Sequence, residues 1–263
     1  MMDDLNDVEY WFQYANRLEN PFVLFSGGKD SLVAMAYVKE HVPRVKAMFV
    51  DTTISLPHTK EYVKEVCEDL EIPLIVLQPR EDFETLVEKW GLPSIKRRWC
   101  CFHLKIQPLR DFLRPIHSKI VFDGIRAEES PKRRDFGKIW YYDKRKFKCF
   151  CIHPIYYWTK DQVEDYIKEK NLKVNPVYKI LGFSAECYCG AYSHKPEFEK
   201  LKAYFPEFFD RLMEIEKKIR SGYTYIYHKG RRVPLREIKK QKTLEEIFKR
   251  VQKKSRSNIP RGI

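Results

Sequence analysis

Apolar positions along this chain follow two alternating periods. Short runs of strand length stand at 22–25 (Phe-Val-Leu-Phe), 45–50 (Val-Lys-Ala-Met-Phe-Val), 74–77 (Leu-Ile-Val-Leu) and 120–122 (Ile-Val-Phe). Between them, four stretches read as helices: residues 3–19, with Val8, Trp11, Phe12, Tyr14 and Ala15 near one stripe; Leu32 to about Glu40; Lys60 to Leu70; and Asp82 to Trp90. Strands alternating with helices predict an α/β fold with a doubly wound, mostly parallel sheet. Ligands of such sheets bind outside the carboxyl ends of the strands. The loop at 26–31, the loop opening at Asp51 and the loop opening at Gly124 all fall at such ends. One site built from all three is therefore expected from topology alone.

Beyond about Phe198 the composition shifts. A Lys- and Glu-rich helix is predicted over 198–220, then a hairpin from Tyr223–Tyr227 and Arg231–Leu235 around His228-Lys229-Gly230. A basic helix is expected over 243–254, followed by a frayed tail. The predicted organisation is a main domain over 1–195, N-terminal helix included, and a small basic α+β appendage over 196–263.

Composition narrows the picture without naming a chemistry. A chain of 263 residues that is 43% hydrophobic and 14% aromatic can bury a sizeable core and is not a disordered polymer. Its apolar runs are far shorter than a membrane span, and its acidic start, MMDDLNDVEYWF, lacks the pattern of a secretory signal. A cytoplasmic protein with no membrane partner is expected. The 50 Lys+Arg against 37 Asp+Glu give a net charge of +13, which favours polyanions such as nucleotides and RNA. A thermophile-like surface rich in Lys and Glu would give the same balance. Seven cysteines in a reducing compartment do not make a disulfide framework. Their grouping as Cys100-Cys101, Cys149-x-Cys151 and Cys187-x-Cys189, with Cys67 alone, points to metal or redox chemistry.

The densest chemistry lies in Ser26-Gly27-Gly28-Lys29-Asp30-Ser31. An apolar strand feeds a glycine turn that opens a helix, so backbone N–H groups and the positive helix end aim at one point. Lys29 adds a mobile charge, and Ser26 and Ser31 add hydroxyl donors. The spacing is neither G-x-x-x-x-G-K-[ST] nor G-x-G-x-x-G. A Gly-Gly turn with an Asp/Ser helix cap is the purely structural alternative. A second segment runs from Gly124 to Arg134. There a glycine admits close backbone approach, and Arg126 and Arg133 offer planar forks for phosphate or sulfate. Taken alone it reads as a solvated charged loop. Two further segments are Arg97–Leu109, containing Trp99-Cys100-Cys101, and the stretch from His153-Pro154-Ile155 through Trp158-Thr159, Asn175-Pro176-Val177-Tyr178 and Cys187-Tyr188-Cys189-Gly190.

In order, these segments give SGGKDS, W-C-C-x-x-L-K-x-x-P-L, G-x-R-x-x-E-S-x-x-R, and P-I-x-x-W-T-x-x-x-V…N-P-x-Y…C-x-C-G. Over roughly residues 20–193 the chain resembles the phosphoadenylyl-sulfate (PAPS) reductase family of the PP-loop ATP-pyrophosphatase superfamily, in its iron–sulfur form. The resemblance implies the adenine-nucleotide alpha-hydrolase-like PP-loop fold. It also implies a nucleotide site of Ser26, Gly27, Gly28, Lys29, Asp30, Ser31, Asp51, Gly124, Arg126 and Arg133. Lys29, Asp30, Arg126 and Cys100 would be the residues closest to the chemistry. The ligand would be ATP or phosphoadenylyl sulfate, with Mg²⁺ assisting. A 4Fe–4S cluster on Cys100, Cys101, Cys187 and Cys189 is implied as well, four thiolates being its usual complement. Arg97, Arg98 and Lys105 would offset the thiolate charge.

The chain departs from that pattern in three places. Its second ligand pair is C-x-C where the family has C-x-x-C. Cys149 and Cys151 are additional, and alternation puts both on one face of a strand, so zinc held by Cys149/Cys151 with Cys187/Cys189 is an alternative. Sulfonucleotide reductases resemble one another in a nucleophilic C-terminal cysteine, whereas residues 190–263 here contain none. The expected activity is therefore ATP-dependent adenylation coupled to sulfur transfer, with a tRNA base as acceptor and a sulfur donor as partner. Tyr223, Tyr225 and Tyr227, interleaved with basic residues, would grip RNA or else simply pack in the hairpin. The alternatives are an adenylyl-sulfate reductase served by a thiol reductant protein, and a nucleotide- or RNA-binding protein without catalysis. A homo-oligomer is compatible with all three.

Overall fold

In the computed structural model the strand runs pair into a six-stranded sheet in the order β3-β2-β1-β4-β6-β5. The described residues are 7–116, 120–144, 147–184, 186–191, 195–219, 224–228 and 231–239. In chain order the first elements are α1 (Val8–Ala15), β1 (Phe22–Leu24), α2 (Lys29–His41), β2 (Lys46–Val50), α3 (Pro57–Asp69), β3 (Leu74–Leu77) and α4 (Phe83–Trp90). They are followed by α5 (Trp99–Cys101), a π-helical turn (Phe102–Ile106), α6 (Gln107–Leu113), β4 (Ile120–Phe122), β5 (Ile139–Lys144), β6 (Phe147–Ile152), α7 (Lys160–Glu169) and α8 (Val177–Leu181). Strands β1, β2, β3, β4 and β6 are parallel, and β5 returns antiparallel along β6 as the edge strand.

The central strands β1, β2 and β4 are largely apolar on both faces because both faces are covered. Val23, Ala47, Phe49, Ile120, Phe122 and Ile152 pack with α1, α2 and α3 through Trp11, Phe12, Leu32, Met35, Tyr62 and Val63. Their neighbours Phe22, Met48, Val121 and Cys149 point the other way, to Leu113 and Leu109 of α6. Two-sided burial is what makes parallel strands read as unbroken hydrophobic runs. The doubly wound expectation holds. The β5–β6 hairpin is not among the strands predicted from the pattern, because its residues mix aromatic and basic side chains rather than forming an apolar run. Among the described residues, no helix is long and apolar enough to cross a membrane.

The chain divides into two units. One takes the chain to Thr85 and again from Arg98 to Tyr188; the other takes Leu86–Arg97 and the chain from Cys189 onward. In the second unit the helix expected over 198–220 is two helices, α9 (Lys195–Tyr204) and α10 (Pro206–Lys218). Pro206 lacks an N–H and cannot continue a helix, but it suits the first turn of a new one. A two-stranded ribbon follows, β7 (Ile226–His228) with β8 (Arg231–Val233). The Glu216 carboxylate of α10 accepts from Tyr225 N–H at 3.1 Å and Leu235 N–H at 2.8 Å, tying helix to ribbon. Tyr225 is only 3% exposed and would meet any side chain grown on Gly190 at 2.8 Å. It packs, as the simpler of the two readings of the tyrosines had it, and has no face for a base. Tyr223, the side chain of Tyr227 and the predicted helix at 243–254 lie outside what the structure describes.

Candidate nucleotide site

From β1 the chain runs to β2 and β3 on one side and, through β4, to β6 on the other, so the strand order reverses between β1 and β4. The crevice outside the carboxyl ends at such a reversal is where α/β sheets bind ligands. The 26–31 loop and Gly124 both lie there. The helix begins three residues earlier than its apolar pattern suggests: Lys29, Asp30 and Ser31 form its first turn, with Gly28 as N-cap. The early N–H groups of a helix have no intrahelical partner and carry its positive end, so this start places an anion cradle inside the motif itself.

The loop is held by local chemistry. Ser31 Oγ donates to the Gly28 carbonyl at 2.9 Å and accepts from Ser26 N–H at 3.3 Å, and the Ser26 and Ser31 hydroxyls lie 3.2 Å apart. Gly27 has φ +87°, and a Cβ there would press on Thr59 at 3.3 Å and Val63 at 3.4 Å. Gly124 allows a tighter approach still, since a Cβ on it would fall 2.6 Å from the Asp30 carbonyl oxygen and 2.7 Å from Ser31 N. The β4 loop and the first turn of α2 are thus in backbone contact, which only glycine permits.

Each cation predicted for the nucleotide site meets a carboxylate. Lys29 Nζ pairs with Glu164 of α7 at 2.6 Å and lies 5.0 Å from the Tyr178 ring centre, while Lys29 N–H donates to the Tyr178 hydroxyl at 3.1 Å. Arg126 is 6% exposed. Its Nε donates to Asp30 at 2.9 Å, and its Nη1 donates to Glu128 at 2.9 Å and to the Trp158 carbonyl at 3.0 Å. Both Arg126 and Asp30 therefore clamp α2 against the β4 loop. Arg133 pairs with Glu129 and also lies near enough to Glu186 to help hold that carboxyl in its charged form. Asp51 accepts from Thr53 N–H at 3.0 Å and from Lys60 and Gln78, each at 3.1 Å. Those bonds hold its carboxyl below the ordinary aspartate range although burial pushes it up.

Beside Ser26 lies a slot of about 220 Å³ lined by Leu24, Met48, Val50, Thr52, Ile106 and Leu109, with Lys105 and Glu186 also on its wall. It is smaller than a drug-sized pocket and suits one ring system. The Glu186 carboxylate accepts from Lys105 Nζ at 3.3 Å and hydrogen-bonds Ser26. Its backbone carbonyl accepts from Thr52 Oγ1 at 3.3 Å, and Tyr188 N–H donates to the Ile54 carbonyl at 2.8 Å. Burial pushes the Glu186 carboxyl up, but Lys105 and Ser26 hold it below the usual glutamate range. Glu186, Glu164 and Tyr178 are site residues that the sequence reading missed. Tyr178 sits in the quoted N-P-x-Y stretch, whereas Glu164 and Glu186 carry no spacing signal and are brought in by the fold.

The cysteines follow different paths. Cys67 is buried in the core, its thiol pushed up to about 12 by burial. Cys149 and Cys151 share a face of β6, as alternation predicts, and that face packs with Phe22, Met48, Val121 and Leu113. The Cys151 thiol is held protonated by its hydrogen bond with Cys149 and by burial. Cys101 and Cys187 both act on the Lys105 ammonium, which Glu186 first and these thiols next hold above its ordinary range. Cys100 is buried on α5 beside the π-helical turn. Among the described residues, no three His, Cys, Asp or Glu side chains converge as metal ligands.

The phosphoadenosine phosphosulfate reductase domain model matches residues 20–184. An uncharacterised protein of Methanocaldococcus jannaschii is 29% identical over 201 residues, covering 76% of this chain and 47% of that protein. An adenosine 5'-phosphosulfate reductase of Staphylococcus haemolyticus is 27% identical over 156 residues, covering 58% of this chain and 63% of the enzyme. The chain spans less than half the length of the Methanocaldococcus relatives, 47% and 40%. A phosphoadenylyl-sulfate reductase from Candida auris, solved as a phosphate complex, superposes with a TM-score of 0.52 at 21% identity over 68% of this chain and 89% of that one. A Candida glabrata FMN adenylyltransferase gives 0.50 at 15% identity over 68% of this chain and 58% of that one. At these identities the structural matches speak to the fold alone.

Proposed function

The chain belongs to the phosphoadenosine phosphosulfate reductase domain family, and we propose that it is an enzyme of that family that uses ATP to adenylate an acceptor oxygen for sulfur transfer. The observation that carries this reading is the meeting, at one strand reversal, of a helix N-terminus, Lys29, Arg133 and a slot for one ring system. The α2 N-terminus, Lys29 and the Ser26 and Ser31 hydroxyls take the phosphate chain, and the slot takes the base. Arg126 and Asp30 keep the first turn of α2 in place, and Asp51 holds the loop after β2. The cations are parked on Glu164 and Glu129, so an incoming polyanion exchanges partners rather than meeting bare charge.

The acceptor oxygen attacks the α-phosphorus, and pyrophosphate leaves with the electron pair of the broken P–O bond. A sulfur nucleophile then bonds the acceptor carbon, and AMP departs with the C–O pair. Mg²⁺ arrives with ATP as part of the substrate. A tRNA base is the acceptor proposed, and a separate sulfur donor completes the reaction. Cys100, Cys101, Cys187 and Cys189 are the thiols that would hold a 4Fe–4S cluster. The naming of several relatives as adenosine 5'-phosphosulfate reductases favours a second reading, reduction of an adenylyl sulfate to sulfite by a thiol nucleophile. Side-by-side equilibrium binding of Mg-ATP and phosphoadenylyl sulfate tests both. Preference for ATP, with pyrophosphate release on adding acceptor RNA, is the expected result. Preference for the sulfonucleotide, with sulfite release and no ATP turnover, replaces the first reading with the second. Binding of neither overturns both.

A further inference from the structure

We propose that the basic, aromatic strip from Lys132 to Trp140, together with Tyr157, is a binding surface for single-stranded RNA. The strip starts at the candidate site and runs outward. Arg133, paired with Glu129 next to Arg126, stands at one end, and the edge strand β5 carries the other. Lys132 and Arg134 are exposed beside it, and Lys138 follows before β5 begins. The turn that carries these cations is fixed from below, because the Tyr156 hydroxyl bonds the carbonyls of Arg133 at 3.0 Å and Arg134 at 2.8 Å. Acidic groups on the strip are few: Asp135 is exposed on the turn, and Glu129 is engaged with Arg133.

The aromatic side chains are placed for stacking. Phe136 and Trp140 lie parallel and offset, ring centres 5.3 Å apart and planes 7° apart, and Trp140 still keeps 38% of its surface open. Tyr157 is 68% exposed, with the Lys138 ammonium 5.5 Å from its ring centre. Large exposed rings among cations are costly to leave in water and mark an interaction surface. Alternating rings and cations match the base and phosphate of a flexible single strand, whereas a duplex hides its base faces. The chain's +13 net charge supports the same partner. RNA binding here stands on surface observations alone; only the RNA's role as acceptor rests on the reading above.

The test uses the full chain and a short fluorescently labelled single-stranded RNA, followed by anisotropy over a range of salt, with Mg-ATP binding measured in parallel. Trp140→Ala with Tyr157→Ala should weaken RNA binding about tenfold or more while Mg-ATP affinity stays unchanged. Trp140→Phe, which keeps a stacked ring, should bind RNA nearly as well as the parent, and so separates lost stacking from lost folding. Lys132→Gln with Arg134→Gln should lower the slope of log affinity against log salt by about 1.4, roughly 0.7 for each phosphate contact on a single strand. Absence of RNA binding by the parent chain overturns the proposal, as does binding indifferent to both double variants. Equal affinity for duplex RNA means charge alone is read and overturns the stacking platform. A concentration-dependent dimer that is lost in Trp140→Ala makes the strip a contact between copies and overturns it as well. Loss of Mg-ATP binding by the parent chain would instead count against the nucleotide reading and leave the RNA result standing.

Discussion

The 26–31 loop and the cysteine segments both lie in parts of the chain that match the family's motifs, yet they are organised differently. Around the loop the polar groups are already paired: Ser26 with Ser31, Lys29 with Glu164 and Tyr178, and Asp30 with Arg126. Gly124 lets two backbones touch there. The cysteine segments supply thiols of the right kind, but no three ligands converge among the described residues. A backbone cradle is built by the same hydrogen bonds and packing that build the fold, so it is present before its ligand. A thiolate site depends on segments far apart in sequence, and much of its free energy comes from the metal itself.

This contrast can be broken most severely at Gly124. Gly124→Ala drives a methyl into the Asp30 and Ser31 backbone, where nothing flexible can yield. Overpacking of this kind costs about 1–3 kcal/mol, so calorimetry should register a lowered Tm, and nucleotide titration should find binding lost. An unchanged Tm and affinity would remove the close approach as a constraint. Lys29→Ala should act on the ligand alone. Losing a hydrogen bond to a charged group costs about 1.5–3 kcal/mol, roughly a 10- to 150-fold weaker Kd for Mg-ATP. The partly exposed Lys29–Glu164 pair is worth only about 0–1 kcal/mol to the fold, so thermal stability should hardly move.

The cysteine side is sharpened by iron analysis of anaerobically purified protein. Cys100→Ser and Cys187→Ser should each reduce bound iron and brown colour. Cys149→Ser should leave iron unchanged but lower stability by about 1–3 kcal/mol, because it buries a hydroxyl. Iron that follows Cys149 instead would assign the ligands to the other pair. The smallest effect concerns Asp51. Its carboxyl is held below the ordinary range in the fold, so the stability it adds is fully present above the unfolded value, about 3.9. That contribution fades as pH falls through the lower folded value. Chemical unfolding followed across that window should therefore show the parent losing more stability on acidification than Asp51→Asn, and parallel curves would show that its bonds do not favour the ionised form.

Much of the fold was legible because the relevant signals are local. Leu74–Leu77 and Ile120–Phe122 match the predicted strands residue for residue, since each is an unbroken apolar run. The start of α2 was misplaced by three residues, because its first turn is made of the loop's own polar residues and carries no apolar period. The β5–β6 hairpin was missed because exposed Trp140 and Tyr141 blur the alternation that marks a strand. Arg126 was read as a phosphate ligand from its position after a strand. Its burial, which directs it to Asp30 and Glu128, depends on residues 96 positions away as well as two.

By itself, the sequence determined the α/β alternation, the glycine turn that opens a helix, and the family. These follow from periodicity, backbone freedom and composition, which are properties of short stretches. Tertiary structure alone decided that Glu164, Tyr178 and Glu186 join the loop. It also made Arg126 a clamp, buried Tyr225, and brought Arg133, Phe136, Trp140 and Tyr157 into one strip. Those outcomes depend on which distant residues share a strand end or a sheet edge, and the long-range pairing of β1 with β4 and of β6 with β5 settles that.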